Sequence, residues 1–204
     1  MKNSIYTLFY AGVLGTVCSL LLTAAASFTA PYREANAKAE KNRNILGVLQ
    51  VKYPSDASSQ ELVKIFEDNV SLEQLGELEM YRYVPPQDSG NKETVAVGFE
   101  GPGLWGPVKG FLALDKNMRT IRGITFYEQE ETPGLGGEIA SSWFREQFAG
   151  KSIFDEAGKP GIIISSSEGS APNKVDAISG ATMTCEKVQA MLNEAIKGIV
   201  EGKQ

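Results

Sequence analysis

Residues 176–184 read DAISGATMT and lead directly into the most regular helical pattern of the chain. Gly180 permits a tight turn, and either Thr182 or Thr184 is suited to cap the helix that follows. Beyond the turn, apolar residues recur with the 3.6-residue period of a helix that packs on a core. These apolar positions are Val188, Met191, Leu192, Ala195, Ile196 and Ile199. The stretch therefore predicts a glycine turn followed by an amphipathic final helix.

The same turn has a second interpretation, which is chemical. The first turn of a helix presents free N–H groups and the positive end of the helix dipole, and both stabilise a phosphate group. A threonine hydroxyl at that position is therefore suited to carry a phosphodiester. The spacing alone leaves both interpretations open, a capped helix start and a phosphate site.

The residues before this turn predict short strands and helices. Apolar or β-branched runs indicate strands, and the polar residues 115–117 between two of them indicate a hairpin turn. Helical spacing and Pro/Gly-rich stretches give the remaining elements. The predicted strands cover residues 94–99, 108–114, 120–127 and 161–164. The predicted helices cover residues 31–50, 59–69 and 138–148. A loop is predicted at residues 85–91. In the 138–148 helix, Ile139, Trp143, Phe144 and Phe148 are expected on one apolar face. Antiparallel hairpins with helices at the ends predict an α+β fold.

The N-terminal residues predict a membrane anchor. Residues 5–30 carry no charge and exceed the ~20 residues that a membrane-spanning helix needs. A cleaved signal peptide is the alternative, because residues 24–26 (AAA) resemble a cleavage site, but signal cores span only ~7–15 residues. We divide the chain into an anchor (1–30), a helical stalk with the first part of the soluble domain (31–93) and a final domain (94–204). Arg33, Lys38, Lys41 and Arg43 follow the anchor, and counting these charges would place the large domain inside the cell.

Composition excludes several classes of function. The net charge is −5 and we find no basic cluster, which argues against nucleic-acid binding. The chain has no histidine and only two cysteines, Cys18 and Cys185, without a C-x-x-C pair. Histidine-based catalysis, histidine-ligated metals and an iron–sulfur cluster held by this chain alone are therefore excluded. Any redox chemistry must come from an organic cofactor or from a partner.

Two glycine-rich strings mark further candidate loops. Residues 131–137 (ETPGLGG) predict a turn at Pro133 and Gly134, with two glycines that allow close approach of the backbone to a flat ligand. Residues 101–107 (GPGLWGP) formally match G-x-G-x-x-G, but no helix follows, so we reject a dinucleotide site. Two roles remain open for Trp105 in this string: its side chain contacts a bound ligand, or it fills a gap in the hydrophobic core.

Asp176 and the Ser179-Gly180-Ala181-Thr182 string resemble the flavinylation motif of FMN-binding domains. The resemblance implies that a separate flavin transferase esterifies FMN to Thr182. The 131–137 string resembles the flavin-contacting loop of the same family. That likeness implies that Glu131, Thr132 and Leu135 lie near the flavin ring, with Gly134, Gly136 and Trp105 contributing to the cofactor site.

Residues 43–46, 103–107, 110–114 and 123–127 extend the resemblance to the C subunit of the sodium-translocating NADH:quinone oxidoreductase. This family implies a single-pass protein of the bacterial inner membrane with an extracytoplasmic FMN domain, against the charge count. Such a protein relays electrons between cofactors of partner subunits and is not catalytic alone. The G subunit of the Rnf complex, which shares the anchor and both motifs, is the alternative. A non-redox membrane-anchored scaffold is the other.

Overall fold

A five-stranded antiparallel sheet is the centre of the computed structural model, which describes residues 2–86 and 92–202. Most of the predicted loop at 85–91 therefore lies outside the described residues. The helices are α1 (Lys2–Val48), α2 (Ser59–Asn69), α3 (Ser142–Glu146) and α4 (Thr182–Glu201), with a 3₁₀ helix at Gly136–Ala140. The strands are β1 (Val70–Leu75), β2 (Leu78–Tyr83), β3 (Thr94–Pro102), β4 (Pro107–Asp115), β5 (Ile121–Glu128), β6 (Ile163–Ile164) and β7 (Lys174–Val175).

The sheet is a meander in which each strand pairs with the next one along the chain, in the order β1-β2-β3-β4-β5. The β3–β4 hairpin is the longest, and its register runs from Thr94 opposite Asp115 to Pro102 opposite Pro107. The predicted turn after β4 is confirmed, because the Met118 N–H donates to the Asp115 carbonyl at 2.8 Å. The predicted α+β fold with antiparallel strands is confirmed.

Both faces of the sheet are buried, which explains the nearly continuous apolar run of β4. One face packs against α4 and α3, and the other against residues 45–51 and α2. The predicted helix at Ser59–Asn69 is confirmed, and it begins with a capping box between Ser58 and Glu61. The predicted apolar face of the final helix is also confirmed, since all six of its apolar positions are buried.

The N-terminal 39 residues form a unit of their own, and residues 40–204 form the second unit. The helix from Ile5 onward is long and apolar enough to cross a membrane, and none of its most apolar part is buried inside the protein. Length and composition make it a candidate membrane span, although a signal sequence near the N-terminus would share both properties.

Three predictions of secondary structure need correction. The helix expected at 138–148 is interrupted at Ser141, because its extended backbone and its side chain, which accepts from the Phe144 N–H at 3.3 Å, start a new helix. Trp143 consequently leaves the expected apolar face and is 57% exposed. The buried strand expected at 161–164 shortens to Ile163–Ile164, and Ile163 is 43% exposed. Strands β1 and β2 were not predicted.

Candidate functional site

Three distant segments meet at the start of α4 and line a cavity of about 260 Å³. They are the β3–β4 turn, the loop that follows β5, and the turn before α4. The lining residues are Leu104, Trp105, Glu131, Thr132, Leu135, Gly136, Gly180, Ala181, Thr182, Met183 and Thr184. Eight of the residues predicted for the cofactor site are therefore brought together here.

The start of α4 leaves its first turn without a side-chain cap. Gly180 adopts a positive φ of 76°, which reverses the chain just before the helix. Ala181 is the N-cap residue and makes no side-chain cap bond, and its carbonyl accepts the first helical bond from the Cys185 N–H at 2.9 Å. The prediction that Thr182 or Thr184 caps the helix is wrong, because both lie inside its first turn. The N–H groups of this turn have no acceptor within the helix.

The two threonines of this turn have different surroundings. Thr182 is exposed and opens onto the cavity, whereas Thr184 is buried with 2% of its surface exposed. The Thr184 hydroxyl donates a hydrogen bond to Oε2 of Glu131 at 2.5 Å. Thr182 is therefore the accessible hydroxyl of the pair.

Glu131 joins the β3–β4 turn to α4. Its carboxylate is only 4% exposed. Its Oε1 accepts from the backbone N–H groups of Leu104 at 2.7 Å and Trp105 at 3.1 Å, while Oε2 accepts from Thr184. Both carboxylate oxygens are thus used inside the protein, a role that the sequence did not predict.

The loop at 132–137 forms the predicted turn. The Leu135 N–H donates to the Thr132 carbonyl at 3.1 Å, and Gly134 has a φ of 75°, as a type II turn requires. A Cβ atom added at Gly136 would lie 2.5 Å from Thr184 Oγ1 and 2.7 Å from Glu131 Oε2. Gly136 therefore allows close packing against the hydrogen-bonded pair of Glu131 and Thr184.

Four large apolar side chains line the same cavity as Thr182 and remain exposed. The exposed fractions are 70% for Trp105, 57% for Met183, 44% for Leu135 and 41% for Leu104. The alternative that Trp105 fills a gap in the core is therefore wrong. A cluster of exposed apolar side chains around a cavity is typical of a binding surface.

Three predicted site residues lie outside this cavity: Asp176, Ser179 and Gly134. All three are exposed. The Asp176 N–H donates to Gln147 Oε1 at 2.9 Å, and Asp176 lines a different concavity with Lys151 and Lys174. Gly134 forms part of the turn from Thr132 to Leu135. Ser179 comes directly before Gly180, in the turn that leads into α4.

The sequence did not predict Leu104 and Met183 as lining residues. The only available signal was that each is a neighbour of a predicted residue. The rejected dinucleotide motif is a hairpin turn, in which the Gly103 N–H donates to the Gly106 carbonyl at 2.7 Å. No helix begins in this motif, so its rejection is confirmed.

Comparison with known proteins identifies the domain that holds this cavity. A family model described as the FMN-binding domain matches residues 103–197. The C subunit of the Na(+)-translocating NADH-quinone reductase of Yersinia pestis is 42% identical over 113 residues, which are 54% of this chain and 42% of that protein. The matched segment thus spans less than half of that relative. The corresponding C subunit of Vibrio anguillarum is 31% identical over 90% of this chain and 86% of the relative.

Solved structures agree with these relatives. The crystal structure of the C subunit from Parabacteroides distasonis is 26% identical, with a TM-score of 0.69 over 84% of this chain and 94% of that one. The structure of NqrC from Shewanella oneidensis, at 23% identity and a TM-score of 0.65, shares the fold. The predicted family is confirmed: this chain belongs to the family formed by the C subunit of the Na(+)-translocating NADH-quinone reductase.

Proposed function

We propose that this chain is an electron-transfer subunit that carries FMN covalently, through a phosphoester bond to Thr182. The observation that carries the proposal is the exposed Thr182 side chain, which lies in an uncapped first helical turn and lines a cavity beside several exposed apolar side chains. When bound, FMN supplies one- and two-electron redox chemistry, which the side chains of this protein do not supply themselves.

The helix start suits the phosphate group of FMN. The N–H groups of the first turn of α4 point along the helix axis away from its body, and Ala181 provides no side-chain oxygen that would compete for them. A phosphoester on Thr182 would be stabilised by these donors and by the helix dipole. Gly180 supports the same geometry, because its positive φ of 76° allows the tight turn that precedes the helix.

The apolar rim suits the flavin ring. Trp105, Leu135, Met183 and Leu104 expose flat or flexible apolar surface beside Thr182. A planar aromatic ring that lay on these side chains would bury their surface from water, which is favourable. Glu131 would act indirectly, because its hydrogen bonds hold the Trp105 turn against α4.

The environment of the two threonines supports the choice of Thr182. A flavin transferase that moves FMN from FAD to a hydroxyl group needs an accessible acceptor. Thr182 is accessible, whereas the Thr184 hydroxyl is buried and donates to Glu131. We assign the transfer step to this separate enzyme.

The wider function follows from the family. We propose that the chain is one redox station of a sodium-translocating NADH:quinone oxidoreductase in the bacterial inner membrane. Residues 5–30 would anchor it, and the FMN domain would lie on the extracytoplasmic side. The sites for NADH, quinone and sodium are assigned to partner subunits. Co-purification of those partners, rather than those of an Rnf complex, would separate the two assignments.

Mass spectrometry of the C-terminal peptide tests the attachment site. With a flavin transferase co-expressed, the full-length protein should show an added mass equal to FMN less water, and Thr182→Ala should lose it completely. Thr182→Ser retains a hydroxyl and should retain part of the attachment. Thr184→Val and Thr132→Val are matched controls that each remove another hydroxyl lining the cavity, and both should keep the flavin. Added mass that persists in Thr182→Ala would show that the assignment to Thr182 is wrong.

A further inference from the structure

A second cavity, of about 350 Å³, lies where residues 40–53 meet β5 and α3. It shares no lining residue with the cavity at Thr182. Three arginine side chains from three separate elements line it: Arg43 from α1, Arg122 from β5 and Arg145 from α3. Arginine is the side chain best suited to bind carboxylate and phosphate groups, since its guanidinium group presents five N–H donors in a planar fork.

The positive charge in this cavity is poorly compensated. Glu40 is the acidic residue among those that line it. Its Oε2 lies 4.0 Å from Nη1 of Arg43, and both side chains are about half exposed, so this ion pair is weak. The other Glu40 oxygen accepts from the Asn44 side-chain amide at 2.9 Å. The carboxylate is therefore shared with Asn44 and does not neutralise Arg122 or Arg145.

Among the residues that the structure describes, few hydrogen-bond acceptors contact the side chains of Arg122 and Arg145. Nε of Arg122 is buried and has no hydrogen-bond partner in the part of the chain that the structure describes. A buried donor without a partner is energetically unfavourable. Nε of Arg145 makes only a long bond of 3.4 Å to the Ser141 carbonyl. Because Nε of Arg122 has almost no accessible surface, a ligand in the cavity would be bound by the terminal N–H groups of the guanidinium forks.

The two elements that carry Arg43 and Arg122, the end of α1 and strand β5, are fixed to each other by a hydrogen bond and by packing. The Thr125 hydroxyl on β5 donates to Asn44 Oδ1 at 2.6 Å, which ties the end of α1 to the sheet. Ile45 and Leu46, the next residues of α1, are completely buried in the core. Arg43 and Arg122 are therefore carried by elements that pack firmly together, as a preformed binding site requires.

From this geometry we infer that the Arg43–Arg122–Arg145 cavity binds an oxyanion, a carboxylate or phosphate group, that is independent of the FMN phosphate. The protein as a whole is acidic, with a net charge of −5. A local group of arginines on an acidic protein favours a small anionic ligand, or a single anionic group of a partner, over a polyanion such as nucleic acid.

Calorimetric titration of the full-length protein in detergent tests the inference. The probes are inorganic phosphate and succinate, each compared with sodium chloride at equal ionic strength. At least one oxyanion should bind saturably. Phosphate alone would assign a phosphate group, succinate alone would assign a carboxylate, and binding of both would assign a general oxyanion site.

Variants show whether the arginines are responsible. Arg122→Gln and Arg145→Gln should each weaken binding at least tenfold. Arg119→Gln is the matched control, because it removes the same charge from a side chain that stacks on Phe154 outside the cavity, and it should leave affinity unchanged. If Arg122→Gln fails to fold, the exposed Arg43→Gln replaces it. Heats equal to those of chloride for both probes, or equal weakening by Arg119→Gln, would overturn the inference.

Discussion

Replacing Glu131 with alanine should separate the β3–β4 turn from the start of α4. The substitution removes both carboxylate oxygens, which accept from the N–H groups of Leu104 and Trp105 and from the Thr184 hydroxyl. Thr184 is buried and loses its acceptor without access to water. Leu104 and Trp105 are exposed, so their N–H groups regain much of their hydration.

These contacts set the expected size of the effect. A hydrogen bond to a charged group contributes about 1.5–3 kcal/mol, and the buried bond from Thr184 should lie in that range. The two rehydrated N–H groups should add about 1 kcal/mol together. We therefore expect Glu131→Ala to lower the free energy of unfolding by about 2.5–4 kcal/mol. Glu131→Gln, which keeps one oxygen acceptor, should cost less.

A double-mutant cycle with Thr184→Val isolates the bond between the two side chains. Valine has nearly the shape of threonine but lacks the hydroxyl group. Urea unfolding of the full-length protein in detergent, followed by tryptophan fluorescence, gives the four free energies that the cycle needs. The coupling energy between Glu131 and Thr184 should reach about 1.5–3 kcal/mol. A coupling below about 0.5 kcal/mol would refute the reasoning, since contacting residues would then behave as independent sites.

Three further predictions concern other parts of the chain. Gly180→Ala should lower the free energy of unfolding by about 1–2 kcal/mol in the same urea assay, because the positive φ is unfavourable for alanine and its Cβ would lie 3.0 Å from Leu135 Cδ2. Gly180→Asn should lower it less, because asparagine adopts a positive φ more readily than alanine does. Burial, together with the bond to Glu79, raises the pKa of Tyr81 to about 12, so this tyrosine should stabilise the protein below pH ~10 and lose that contribution as the pH rises towards 12. Tyr81→Phe should flatten this part of the stability profile, and an unchanged profile would contradict the assignment to Tyr81. A reporter that is active only outside the cytoplasm, fused after Gln204, should be active, whereas activity of a cytoplasmic reporter alone would reverse the proposed orientation.

Much of the fold was predictable because its elements have strong local patterns. The α4 helix shows a clear 3.6-residue period, and β3, β4 and β5 are rich in apolar or β-branched residues. Strands β1 and β2 escaped prediction because residues such as Glu73, Gln74 and Glu79 favour helices, and β1 has the polar character of an edge strand. The helix expected at 138–148 was overextended because the apolar spacing hides the capping role of Ser141.

The candidate site was predictable only in part. The motifs at 131–137 and 176–184 were found as separate strings, and the structure brings residues of both to one cavity. The hydrogen bond between Glu131 and Thr184 joins residues 53 positions apart, and a local sequence pattern cannot predict such a pair. The three arginines of the second cavity likewise come from three separate elements, and only the folded chain brings them together.

The meander order of the sheet has a consequence for the time at which the FMN site becomes available. Each strand pairs with its neighbour in sequence, so the sheet forms through short-range closures that fold quickly. The cavity at Thr182 instead forms only when α4, which follows all the strands in the chain, docks on β3. We therefore expect the acceptor hydroxyl to take its final surroundings at a late stage of folding. A transferase that recognised those surroundings would modify finished molecules and pass over incomplete ones.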